Sequence, residues 1–182
     1  MVLAVPKGNP ADIRSFEELG TKWNGEAPVI PVRQLFETPV SKAAALLSGC
    51  KNYSRAREAG EGQVYAEDWH VTLRYEGVKP AGFCHVGIRS HYLCPVSEEE
   101  AKRQENVFRC RIEKVIEDVF SMVLMVRPVA AVNPDMDSHE GRIRVELSKE
   151  CWDMFCRKED VSGDILIHVE PKDVMLLCNM AV

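Results

Sequence analysis

Beyond Tyr53, apolar residues recur at every second position, and that period admits few folds. Val71, Leu73 and Tyr75 alternate with Thr72, Arg74 and Glu76. Phe108, Cys110 and Ile112 alternate with Arg109, Arg111 and Glu113, and Ile143, Val145 and Leu147 with Arg142, Arg144 and Glu146. Ile165, Ile167 and Val169 form a further set. Successive side chains of a strand point to opposite faces, so each run offers one face to a core and one to water. MVLMV (122–126) and GFCHVGIR (82–89) read as strands buried on both faces.

Turn clusters separate these runs: EGVKPAG, PVSEEEAKRQEN, NPDMDSHEG and VSGD. KECWDMFC (149–156) is the one helical segment of this half. Many short strands with one helix predict a mainly β fold, a small closed or nearly closed barrel. Ahead of it, VSKAAALLSG reads as a helix stopped by Gly49, and PVRQLFET as another stopped by Pro39. VLAV (2–5) reads as a short strand, and Ser15 with Glu18 as the capping box of a helix ended near Gly20.

The chain has 182 residues, 46% of them hydrophobic, enough for a packed core in one domain with an appendage. A net charge of −5 without a basic block argues against general nucleic-acid binding, which draws its affinity from phosphate neutralisation. A small anion needs only a few local donors. Seven cysteines, several in apolar runs, suit reduced thiols rather than a disulfide scaffold. Pro6-Lys7-Gly8 interrupts the apolar start well short of a signal core or membrane span.

Motifs for chemistry are sparse. Cys84-His85 and His91-x-x-Cys94 carry zinc-ligand types, but the spacing fits no finger, and Cys84 lies in a buried strand. DMDSHEG (135–141) has alternate acids but Glu140 where a calcium loop needs glycine for its turn, so it reads as a solvated hairpin loop. No nucleophile elbow or metalloprotease helix occurs, and the chain is expected not to be an enzyme. No GxxxxGK[ST] loop is present to cradle nucleotide phosphates, so no ATP hydrolysis is expected. Trp23, Trp69 and Trp152 read as core or rim anchors.

Three resemblances bear on function. Residues 33–52, RQLFETPVSKAAALLSGCKN, with VGIRSHYL (86–93), resemble the region that follows the catalytic core in ATP-binding subunits of ABC importers. The ordered set DWHVTLRY, VGIRSHYL, ENVFRCRIEKVIED, RIRVELSKECW and DILIHVEPKDVMLL resembles the TOBE/MOP domain of molybdate- and sulfate-type importers, over roughly residues 32–178. VLAVPKGNPADIRSFEELG is similar to part of such an importer's oxyanion-binding protein. LLSGC resembles the LSGGQ signature but lacks its second glycine and its glutamine, and reads as a helix end.

These resemblances divide the chain into a receptor-like fragment (1–31), a helical ATPase-type tail (32–52) and a TOBE-like, OB-like barrel (53–182). They imply a regulatory, oxyanion-sensing accessory domain without its ATPase core. The alternatives are a stand-alone molybdate-, tungstate- or sulfate-binding module and, last, an OB-like single-strand binder. For the last, the RCRIEK run (109–114) offers basic residues but no stacking aromatics beyond the preceding Phe108. The family implies a homodimer in the cytoplasm, peripheral to the inner face of the membrane through importer subunits, with no other cofactor.

An oxyanion site needs free backbone N–H groups, a hydroxyl and a cation. Ser148 and Lys149 offer these at the start of the 149–156 helix. The resemblance adds Asn106, which matches an asparagine that molybdate-type members carry before a strand.

Overall fold

The structure, a computed structural model, describes residues 39–132, 141–159, 161 and 163–179. The expected receptor-like fragment, residues 32–38 and the 135–140 acidic loop lie outside these. In chain order the elements are α1 (Lys42–Leu47), β1 (Asn52–Gly60), β2 (Gln63–Ala66), β3 (Val71–Arg74), β4 (His85–Ile88) and β5 (Cys94–Val96). Then come α2 (Glu98–Ala101), β6 (Val107–Glu117), β7 (Ser121–Pro128), β8 (Ile143–Ser148), α3 (Lys149–Lys158), β9 (Asp164–His168) and β10 (Met175–Leu177).

The fold is mainly β and OB-like, with two antiparallel five-stranded sheets ordered β10-β4-β1-β2-β3 and β5-β9-β6-β7-β8. Both have one plan, four sequential strands plus a fifth contributed by the other half. β4 leads through a 3-10 turn (Ser90–Tyr92) into β5, which crosses to pair with β9; β9 leads through another (Pro171–Asp173) into β10, which returns to β4. The registers match as well. Met175 faces Gly87 in one exchange and Cys94 faces His168 in the other. β1 and β6 each carry a bulge against the next strand, between Glu58 and Gly60 and between Ile112 and Lys114.

One core runs through both sheets. Val64, Leu73, Val86 and Ile88 of the first pack in the same cluster as Leu124, Val126, Ile143, Val145 and Ile167 of the second. Burying a side chain of this size contributes roughly 1.5–3 kcal/mol. The alternating runs at Val71, Phe108, Ile143 and Ile165 fall in β3, β6, β8 and β9, and MVLMV in β7. The 149–156 helix is α3.

β1 is the strand an apolar period passes over. Its inward positions are Asn52, Ser54 and Ala56, all buried. Ser54 compensates with hydrogen bonds, accepting from Asp68 N at 2.9 Å and donating to Arg55 O at 2.8 Å. The SEEEA stretch, expected as a turn, forms α2. Ser97 accepts from Glu100 N while the Glu100 carboxylate accepts from Ser97 N, a capping box.

α1 begins at Ser41, whose hydroxyl accepts from Ala44 N, and covers the outer face of the first sheet. Ala45, Cys50 and Leu177 make a small second core there. Gly87 makes room for it, because a Cβ at that position would lie 2.8 Å from Leu177 Cδ1.

Candidate functional site

Ser148 ends β8 and caps α3, its hydroxyl accepting from Cys151 N at 3.2 Å. Lys149 Nζ lies 2.7 Å from Glu117 Oε1, and this hydrogen bond holds the Glu117 carboxyl below its usual range. Asn106 is elsewhere. It immediately precedes β6, whereas Glu117 is the last residue of that strand, so on the order of 30 Å of extended chain separates them. Its backbone is left-handed, with φ +50°, a conformation asparagine tolerates better than most residues. Its side chain is bound on both sides: Oδ1 accepts from Arg74 N at 2.6 Å and Nδ2 donates to Arg74 O at 2.9 Å. The fold thus joins Ser148 to Lys149 and leaves Asn106 clasping the edge strand β3.

Two buried donors that sequence reasoning passed over lie on elements that pack together, the Ser90–Tyr92 turn and β8. The Ser90 hydroxyl and Arg144 Nε are buried and have no hydrogen-bond partner among the described residues. Beside Ser90, the buried Arg89 guanidinium donates to Ser48 O at 2.6 Å and to Ser48 Oγ at 3.0 Å. Asn52 holds β8 against this turn, its amide bonded both ways to the Arg144 backbone, at 2.7 and 2.8 Å. No sequence pattern marks them, because Ser90 stands in a strand-to-turn segment and Arg144 at a polar position of an alternating run, where such residues ordinarily face water.

A separate cleft of about 440 Å³ opens between the first sheet and the entry to β8. Lys42, Lys51, Tyr53, Arg55, Asp68, His85, Gly141 and Arg142 line it. Arg55 is committed to Asp68, with Nε and Nη2 at 3.0 and 2.9 Å from Oδ1. Burial pushes the Asp68 carboxyl up, but the hydrogen bonds from the Arg55 backbone and side chain outweigh it and hold it below its usual value. Arg142 shares Glu113 with Arg127, so two guanidiniums face one carboxylate. Lys42 Nζ sits 4.5 Å from the Tyr53 ring centroid and 3.3 Å from His85 Nε2. Burial, and then the Lys42 charge, lower the pKa of His85.

Among the described residues, no group of three or more His, Cys, Asp or Glu could hold a metal ion. No described helix is long and apolar enough to cross a membrane. Cys84 Sγ lies 3.3 Å from His85 Nδ1, while His91 packs on Tyr92 with ring centroids 4.4 Å apart.

No family model matches the sequence, and no curated protein matches it. Among solved structures, the fold is similar to that of the cytoplasmic molybdate-binding protein ModG, in a crystal form with molybdate bound. The TM-score is 0.52 at 7% identity, over 71% of this chain and 96% of that one. This likeness establishes the OB-like fold.

Proposed function

We propose that the chain is a non-enzymatic module that binds a small tetrahedral oxyanion (molybdate, tungstate or sulfate) where the Ser90–Tyr92 turn meets β8 and the start of α3. The observation that carries this is the pair of unpartnered buried donors, Ser90 Oγ and Arg144 Nε. A buried donor without an acceptor costs about 1–3 kcal/mol, and the oxygens of a dianion relieve that cost. Ser148 and Lys149 add the α3 N-terminus and an ammonium, which an arriving anion would share with Glu117. Asn106 enters as the clasp on β3 rather than as a ligand group. The molybdate held by the fold neighbour ModG supports the same ligand class.

A stand-alone cytoplasmic module, assembled as a homodimer, is the reading we favour. The resemblance of residues 33–52 to the tail of an importer ATPase supports a second role, as a regulatory domain docked on importer subunits. Calorimetric titration of the purified chain with molybdate, tungstate and sulfate tests the site. Ser90→Ala and Lys149→Ala should each weaken binding on the order of tenfold, the equivalent of one charge-assisted hydrogen bond. No heat from any of the three anions on the parent chain would discard the proposal.

A further inference from the structure

The cleft lined by Lys42, Lys51, Tyr53, His85 and Arg142 is not part of the oxyanion reading, and its size and lining call for another ligand. We infer that it is a second anion site, which takes a phosphorylated organic molecule of the size of a nucleoside mono- or diphosphate. Its volume of about 440 Å³ falls in the range of sites for organic ligands and far exceeds a lone tetrahedral anion, which is only a few times the roughly 30 Å³ share of one water.

The cations reach it from separate elements. Lys42 comes from α1, Lys51 from the residue before β1, and Arg142 from the residue before β8. Charges that converge from separate backbone segments suit a multivalent anion better than a single carboxylate. Lys51 makes no ion pair among the described residues, and Lys42 faces an imidazole and an aromatic ring rather than a carboxylate. In a chain with a net charge of −5, such a concentration of positive groups is a local feature of this cleft.

The remaining walls suit the organic part. Tyr53 presents a half-exposed ring, with the Lys42 ammonium over it at 4.5 Å from the centroid. Gly141 closes one side with bare backbone. A Cβ there would lie 2.7 Å from Asp68 O, so the two halves approach at van der Waals limits. Lys51 then takes the phosphate with Lys42 alongside, Arg142 stands beside them in its pair with Glu113, and Tyr53 lies against the apolar moiety.

Calorimetry of the full chain with AMP, ADP, pyrophosphate and inorganic phosphate tests this, with Lys51→Glu and Lys42→Ala as variants and unfolding midpoints as the control for folding. AMP and ADP should bind at least roughly tenfold more tightly than inorganic phosphate. Each lysine substitution should weaken them about tenfold or more at an unchanged midpoint. Ser90→Ala should leave them untouched, which separates this site from the oxyanion site and lets either fail alone. Absence of AMP and ADP binding, equal affinity for inorganic phosphate, or affinity indifferent to both lysine substitutions would each overturn the inference.

Discussion

Asn52 and Asn106 make the same pair of hydrogen bonds to opposite halves of the molecule. Asn52 begins β1 in the first sheet and clasps the backbone of Arg144 on β8, an edge strand of the second. Asn106 precedes β6 in the second sheet and clasps the backbone of Arg74 on β3, an edge strand of the first. Arg74 pairs with Gln63 on β2 and Arg144 with Met125 on β7, so the clasped arginines are themselves equivalent. With the exchanged strands β5 and β10, these clasps make the chain an internal two-fold repeat whose halves cannot fold apart without losing a strand and an edge each.

The clasps should carry measurable stability. Asn52 is 2% exposed, so Asn52→Ala leaves a part-buried backbone N–H and C=O of Arg144 without these partners, and should cost about 1–3 kcal/mol in urea unfolding. The Asn106 bonds are exposed, and water can replace them. Asn106→Ala should cost about 1–2 kcal/mol, mostly because alanine must adopt φ +50°. If Asn52→Ala proves neutral, the clasp is ornamental.

Close approach of the halves gives a second test. Gly141 and Gly49 both have left-handed backbones, at φ +76° and +90°. A Cβ at Gly49 meets nothing within 4 Å, whereas one at Gly141 meets Asp68 O at 2.7 Å. Gly49→Ala should therefore lose only the conformational part, about 1–2 kcal/mol. Gly141→Ala should lose that plus on the order of 1–3 kcal/mol from overpacking against backbone. Equal unfolding midpoints for the two variants would contradict this geometry.

The longer apolar runs of β3, β4, β6, β7, β8 and β9 were legible in the sequence, the short strands β2, β5 and β10 and the polar β1 were not, and the repeat was not legible at all. Val86 answers to Ile167, Leu93 to Val174 and Pro95 to Leu176 by position in the exchange, so the halves share hydrophobic character with little identity. α3 interrupts the second half between β8 and β9, where the first half has a loop, which breaks any constant spacing. Of the residues in the proposed site, Ser148 and Lys149 could be nominated from the sequence because a helix start announces its donors. Ser90 and Arg144 were not, because only the packing of the turn on β8 buries them.

Acid should weaken the fold through His85. Burial and the Lys42 charge, with a smaller push from Arg55 against an opposing pull from Asp68, keep its folded pKa below the ordinary 6.5. Cys84 is its other polar neighbour. As the pH falls through 6.5 the unfolded chain takes up the proton first, so stability drops with pH until the folded imidazole titrates as well. The unfolding midpoint of the parent should thus fall more between pH 7 and 5.5 than that of His85→Gln. Parallel profiles for the two chains would remove His85 as the cause.

The free end of the β6–β7 hairpin is where we expect two copies to meet. β9 stops pairing with β6 at Arg111, so among the described residues the backbone from Ile112 to Glu117 has a partner strand only on the β7 side. The same end exposes Val115, Ile116, Val119 and Phe120, the last 89% exposed. An open strand edge with an apolar tip favours edge-to-edge pairing, and Glu113, Lys114 and Glu117 on that edge temper it. Phe120→Ser combined with Val119→Thr should shift sedimentation equilibrium toward monomer, while the unfolding midpoint stays put because neither side chain belongs to the core. A dimer that survives the double substitution unchanged would place the contact elsewhere on the surface.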